Sequence, residues 1–219
     1  MAITVASTTA AAADSLTEQV VSRYGLAAQQ RLQQWQQALT AMQSLPPAQQ
    51  LQAVNRLANS MAQVTDQQLW GQTDYWASNA EFIGAGGGDC EDFSIAKFHA
   101  LLQLGFNPKQ LRLAYVKAQQ QQQYHVVLAY YPKQQAVPLL LDNLNPNILP
   151  ADQRPDLIPV FSFNAAQLWL NVNRYDQQSV GDINDFSLWQ KVQQRRQPKQ
   201  PLLDLPFTPL PQPQLGNQQ

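Results

Sequence analysis

The segment GAGGGDCEDF, residues 84–93, decides how the rest of the chain is interpreted. It holds the only cysteine of the chain, Cys90, between a run of glycines and a group of carboxylates. Apolar residues recur at helical spacing from Phe93 onward, and Gly105 is a residue type that commonly ends helices. The pattern therefore predicts a flexible turn that leads into a helix, with Cys90 at the junction.

A cysteine in this position has two interpretations. The free N–H groups of the first helical turn and the helix dipole favour an anion, so they favour a reactive thiolate. A buried and inert thiol is the usual alternative for a lone cysteine, and it is typical of apolar surroundings. Because Asp89, Glu91 and Asp92 are not apolar, the sequence favours the reactive interpretation.

Composition limits the class of protein. The chain has 219 residues, of which 44% are hydrophobic and 13% charged, as in a single globular domain. A net charge of −1 without a basic run argues against nucleic acid or an anionic membrane surface as partner. One cysteine excludes an internal disulfide, and no apolar run approaches the length of a membrane span.

Small and polar residues at both ends predict three segments. Residues 1–14 are expected to be disordered; they suit signal cleavage but lack a basic start and a strong apolar stretch. Residues 15–197 form the predicted domain, with a helical lobe at about 15–65 and a core at about 66–175. Residues 198–219 are a tail rich in proline and glutamine.

Hydrophobic periodicity predicts an α+β fold. Helical spacing runs from residue 15 to the Pro46–Pro47 pair, and again over residues 51–61. Alternating segments then predict strands at residues 111–117, 124–131, 138–142 and 159–163, followed by a helical piece around residues 168–170. This order places a helical N-terminal lobe against an antiparallel sheet.

An aromatic loop lies between the lobe and the cysteine. The segment LWGQTDYW, residues 69–76, carries two tryptophans and a tyrosine in polar surroundings. These rings could form the wall of a cleft and offer anchors to a partner, or they could form a hydrophobic plug beneath the loop.

A thiolate nucleophile requires a base and a group that orients the base. His99 follows Cys90 by nine residues on the same helix, roughly 13 Å along the axis, so it is out of reach and is expected to be partly exposed. His125 lies on a predicted strand, where it could be the base or a satisfied core histidine. Asp142 ends the neighbouring predicted strand and could accept a hydrogen bond from the imidazole.

Several separated motifs resemble those of the bacterial transglutaminase-like cysteine proteinases. They are GDCEDFSIAK, HVVLAYY, PLLLDNL, the upstream NRLANSMAQVTDQQLWGQTDYWAS and the downstream RPDLIPVFSFN, within residues 50–170. The resemblance implies a papain-like, transglutaminase-like core. It also implies that Cys90 is the nucleophile, His125 the general base and Asp142 its orienting group.

The resemblance is strongest to periplasmic members of that family that release adhesins. It implies cleavage of large RTX-type surface adhesins near paired alanines, which promotes dispersal of biofilms. It implies a periplasmic location and inhibition by an inner-membrane receptor that senses cyclic di-GMP. It also implies a calcium requirement, with Asp89, Glu91 and Asp92 matching the calcium-linked positions.

Calcium has a physical argument as well. Three carboxylates beside the thiol repel one another and raise the pKa of the thiol, and a hard divalent cation with oxygen ligands removes that conflict. A solvated acidic helix start is the alternative. For the activity, the alternatives are transglutaminase or amidase chemistry on the same three residues, and a non-catalytic calcium-binding docking module.

Overall fold

A computed structural model describes residues 17–133, 136–164, 167–171, 177–182, 190–192 and 194. The predicted N-terminal segment and the predicted C-terminal tail lie outside the described residues. A group of helices packs on an antiparallel sheet, which confirms the predicted α+β class. None of the described helices is long and apolar enough to span a membrane.

The helices precede most of the sheet. Residues 17–24 are helical and are called α1 here. The others are α2 (Leu26–Met42), α3 (Pro47–Asn59), α4 (Asp66–Leu69), α5 (Asn79–Ala85) and α6 (Cys90–Gln103). Gly25 separates α1 from α2 with a φ of 81°, a conformation that glycine adopts at little cost. Pro47 occupies the first turn of α3, where its missing N–H has no helical partner to lose.

Two short strands join the helical part to the cysteine segment. Strand β1 (Ala62–Gln63) pairs in parallel with β2 (Gly87–Gly88). The main sheet contains β3 (Leu111–Ala118), β4 (Gln123–Tyr130), β5 (Leu139–Leu141), β6 (Leu149–Pro150), β7 (Leu157–Phe163), β8 (Gln167–Asn171) and β9 (Gln177–Asp182). Its order is β6-β5-β4-β3-β7-β8-β9, and every neighbouring pair is antiparallel.

Helix α6 is the centre of the fold. It packs on β3 and β4 on one side and on α3 and α5 on the other. Its residues are therefore buried without interruption from Glu91 to Leu101, a wider buried surface than the single stripe that the sequence predicts. Gly105, with a φ of 88°, follows the end of the helix as predicted.

The prediction of a helical piece around residues 168–170 is wrong, because these residues belong to β8. Leu170 pairs with Phe161 of β7, and Trp169 pairs with Ser162. The Arg112 guanidinium of β3 lies 3.6 Å from the centre of the Trp169 ring. Pairing with the free edge of β7 and this cation–π contact outweigh the weak local preference for a helix.

Candidate functional site

Cys90 is the first residue of α6, and Asp89, the N-cap of the helix, separates it from strand β2. The pairing of β2 with β1 holds the two glycines close to neighbouring atoms. A Cβ on Gly87 would collide with the Ala62 carbonyl, and one on Gly88 would collide with the Asp92 carboxylate. The glycines therefore provide the close approach that fixes the direction in which the chain enters α6.

The surroundings of the Cys90 sulfur oppose its ionisation. The thiol lies 3.0 Å from the Glu91 carboxylate Oε2 and donates a hydrogen bond to it. Burial raises the pKa of the Cys90 thiol far above its usual range, and the negative charges of Glu91 and Asp89 raise it further. A hydrogen bond with the Val126 backbone lowers the pKa but is outweighed. Against burial and these negative charges, the dipole and free N–H groups at the start of α6 are not sufficient to ionise the thiol.

The structure brings His125 and Asp142 into contact. His125 lies on β4, and Asp142 directly follows β5, the neighbouring strand. The His125 Nε2 atom is 2.7 Å from Asp142 Oδ1, and both residues are buried. Because Nε2 donates to a carboxylate, the ring nitrogen Nδ1 is left to accept a proton.

Two further side chains hold Asp142, and sequence reasoning missed both. Arg154 Nη2 donates to Asp142 Oδ2 at 2.9 Å, and Asn59 Nδ2 donates to the Asp142 carbonyl at 2.8 Å. Arg154 follows a short 3-10 turn and Asn59 ends α3, so neither position has a distinctive sequence pattern.

The pKa of the Asp142 carboxyl reports the balance of these contacts. Burial raises that pKa, but the hydrogen bonds and charge of His125, the Leu144 N–H and Arg154 together lower it to about 2. Asp142 is therefore ionised at neutral pH, and a charged carboxylate accepts strong hydrogen bonds from its donors.

The acidic residues near the thiol separate into two roles. One carboxylate oxygen each from Asp66, Asp89 and Glu91 lies within 4.8 Å of the others. Asp92 is not part of this group: it is fully buried, and its oxygens accept hydrogen bonds from the N–H groups of Ala77 and Asp89. Asp92 therefore caps α6 and ties it to the loop before α5.

Asp66 was not singled out from the sequence, because it lies on α4, far from Cys90 along the chain. Its Oδ2 accepts the Tyr75 N–H at 2.5 Å. The other oxygen, Asp66 Oδ1, and Asp89 Oδ1 are buried without a hydrogen-bond partner among the described residues. Burial, which is the largest effect, and neighbouring negative charges raise the pKa of Asp66 to about 7 and also raise that of Asp89.

Clustered carboxylates with unsatisfied buried oxygens are the donor set that a hard divalent cation requires. The three residues of the group therefore fit calcium in ligand chemistry. A cation in this position would also offset the two charges, those of Glu91 and Asp89, that raise the pKa of the Cys90 thiol.

Cys90 and His125 line the same cleft, which has a volume of about 510 Å³. Asp89 and Glu91 lie at one side of it. Aromatic residues form much of the remaining wall: Trp76, Tyr115, Tyr124 and Phe161. The Tyr115 ring stacks between the other two sheet rings, at 5.1 Å from Tyr124 and 4.8 Å from Phe161.

The aromatic loop, residues 69–76, forms part of the cleft wall with one ring and a hydrophobic plug with the other two. Trp76 lines the cleft, whereas Trp70 and Tyr75 are buried with Tyr24 in a separate cluster beneath the loop. All three loop rings are at least 92% covered, so the loop offers no exposed aromatic anchor. The exposed aromatic ring at the cleft is Tyr124, on β4.

The expected exposure of His99 is wrong. His99 is 2% exposed, and its ring packs edge-on against Phe98 at 5.2 Å. Helix α6 is covered on both sides, so a position that periodicity assigns to solvent is buried. His99 does not line the cleft that contains Cys90.

Comparisons with known proteins identify the family of the chain. Residues 27–177 match the family described as bacterial transglutaminase-like cysteine proteinase BTLCP. The EGTA-treated structure of Legionella pneumophila LapG is 37% identical, with a TM-score of 0.72, and the match covers 83% of this chain and 96% of that one. Its calcium-bound structure is also 37% identical, with a TM-score of 0.69 and coverage of 82% and 96%. No curated protein matches the sequence.

Proposed function

Because the chain belongs to the bacterial transglutaminase-like cysteine proteinases, we propose that it is an endopeptidase with Cys90, His125 and Asp142 as its catalytic residues. The observation that carries this proposal is the buried hydrogen bond from His125 to Asp142, beside the cleft that also contains the thiol. An ionised carboxylate behind an imidazole fixes the tautomer of the ring and stabilises the imidazolium that forms.

The proposed reaction has two stages. His125 Nδ1 takes the proton of the Cys90 thiol, and the sulfur attacks the carbonyl carbon of the scissile peptide bond. The resulting tetrahedral intermediate expels the amine, which receives the proton from His125, and a thioester remains. Water activated by His125 then attacks the thioester and releases the thiol. The Cys90 backbone N–H, at the start of α6, is a candidate donor to the oxyanion.

Calcium is the proposed cofactor. Asp66, Asp89 and Glu91 are the proposed ligands, together with donors outside this group, since calcium takes six to eight oxygens. The bound ion supplies positive charge that lowers the pKa of the neighbouring thiol. The similarity to a protein whose structure is known in calcium-bound form supports the choice of this metal.

The substrate and partners follow from the family resemblance. The proposed substrate is a large RTX-type adhesin cut near paired alanines in the periplasm, with release of the adhesin and dispersal of the biofilm. The proposed inhibitor is the periplasmic domain of an inner-membrane cyclic di-GMP receptor that binds over or beside the cleft. Exposed apolar side chains at the cleft, Tyr124 and Leu144, support this docking position.

Incubation with an adhesin fragment containing paired alanines tests the activity, with the masses of the cut ends as readout. Cleavage should require calcium, stop in chelator and return when calcium is restored. Asp66→Asn should raise the calcium concentration for half-maximal cleavage at least about tenfold, since one charged ligand is lost. Asp152→Asn, at an exposed acidic residue, is the matched control. Cleavage that continues unchanged in chelator removes calcium from the mechanism.

Addition of a primary amine to the same digest separates hydrolysis from acyl transfer. A protease gives cut ends with free carboxylates, whereas a transglutaminase gives a product heavier by the amine. The proposed inhibition is tested with the periplasmic domain of the cyclic di-GMP receptor. A pull-down with this domain should capture the protein, and adding the domain to a digest should block cleavage. Capture that leaves cleavage at full rate contradicts docking over the cleft.

A further inference from the structure

A buried arginine contacts the aspartate of the proposed catalytic pair, His125 and Asp142. Arg154 is 4% exposed, and its Nη2 donates to Asp142 Oδ2 at 2.9 Å. The same guanidinium also binds Asp156, through Nε to Oδ1 at 2.9 Å and Nη2 to Oδ2 at 2.7 Å. Burial of a guanidinium is costly, so a position of this kind requires well-placed carboxylate partners.

The two oxygens of Asp142 have different partners. Oδ1 accepts from His125 Nε2 at 2.7 Å and from the Leu144 N–H at 2.9 Å. Oδ2 has Arg154 as its charged donor. With donors on both oxygens, rotation of the carboxylate about its Cβ–Cγ bond would break a bond on each side. The two hydrogen bonds from Arg154 Nε and Nη2 to the Asp156 carboxylate fix the plane of the guanidinium.

We propose that Arg154 is a positioning residue, which holds the Asp142 carboxylate in the orientation that directs the His125 ring toward Cys90. This inference rests on the proposed function of the three residues. Arg154 itself does not line the cleft and does not contact substrate in this scheme. Without it, Asp142 keeps the Leu144 N–H but can rotate, and His125 loses a fixed acceptor.

The main test compares Arg154→Met and Arg154→Lys with the wild-type protein in cleavage kinetics. Arg154→Met should lower kcat on the order of 10- to 100-fold, as expected for a misdirected base, with KM within about twofold. Arg154→Lys keeps one charged donor and should recover part of that loss. Arg112→Met is the control: this arginine packs on the Tyr131 and Trp169 rings and should affect stability without lowering kcat.

A double-mutant cycle distinguishes positioning from general structural support. If Arg154 acts through Asp142, Arg154→Met should cause no further loss of kcat in an Asp142→Asn background. If its role is only structural, the two losses should multiply. Wild-type kcat in a folded Arg154→Met variant, or multiplicative losses in the double variant, overturns the proposal.

A second readout does not depend on peptide cleavage. The chain has only two histidines, so ¹⁵N-histidine labelling gives few ring signals in NMR spectra. The Nε2–H proton of His125 should give a protected signal in the wild-type protein, absent in Asp142→Asn and broadened or absent in Arg154→Met. If the wild-type protein shows this signal but does not cleave the fragment, the proposed function is wrong while the positioning role can still be tested. If Arg154→Met leaves the signal unchanged, the positioning role fails.

Discussion

Lys97 allows a quantitative test of how α6 is buried. Its side chain is fully buried on that helix, and Nζ has no hydrogen-bond partner among the described residues. Burial lowers the pKa of Lys97 to about 7, and the negative charge of Asp142 opposes that shift without cancelling it. The ammonium group thus loses most of its hydration on folding, and its attraction to the Asp142 carboxylate offsets only part of that loss.

The magnitude follows from the difference between the unfolded and folded pKa values. The pKa of Lys97 falls from 10.5 to about 7 on folding, a difference of about 3.5 units. At about 1.36 kcal/mol per unit, the cost to folding at pH 7 is about 4 kcal/mol, and at pH 9.5 it is about 1.4 kcal/mol. Between pH 7 and 10.5 the unfolded chain binds more protons than the folded chain, so the cost to folding shrinks as the pH rises. The cost reaches its full size below pH 7 and disappears above pH 10.5.

Lys97→Met should therefore stabilise the protein, and the gain should shrink by about 3 kcal/mol between pH 7 and pH 9.5. Urea unfolding of both proteins at the two pH values, at one fixed calcium concentration, measures the difference. Lys109→Met, at an exposed lysine, is the control substitution. A Lys97→Met variant that is less stable at pH 7, or a gain equal at both pH values, refutes the account of Lys97 as a desolvated cation.

Two further predictions concern the proposed catalytic residues. Cys90→Ala should abolish cleavage while the circular dichroism spectrum stays that of the wild type; a folded variant that still cleaves ends the assignment of the nucleophile. His125→Ala should be inactive in a cleavage time course. His99→Ala should keep most of the kcat but lower the unfolding temperature, because His99 is buried away from the cleft; the reverse ranking contradicts both assignments.

Local patterns in the sequence were sufficient to predict the helix and strands that form the cleft. The glycine run, the helical spacing after Phe93 and Gly105 delimit α6, and the alternating segments locate β3, β4 and β5. The contact between His125 and Asp142 could also be predicted from the sequence, because strands that are consecutive in the chain commonly pair and Asp142 directly follows the second of these two strands. Each of these inferences depends on residues close together in the chain.

The residues that sequence reasoning missed depend on contacts between distant segments. Asp66 joins Asp89 because the β1–β2 pairing brings the segment before α4 beside the start of α6. Arg154 reaches Asp142 from an irregular segment without periodicity. The burial of His99 likewise depends on distant segments, the helices and strands that pack around α6.

The proposed reaction requires α6 and the sheet to stay in register, since the helix supplies the thiol and β4 supplies the base. Val126, the neighbour of His125, provides that register. Its carbonyl accepts the Ser94 hydroxyl at 2.9 Å. This contact connects the second turn of α6 to the residue next to the proposed base on β4. A shift of the helix along the strand would break it, so the proposed nucleophile and base are held by the same packing that forms the core.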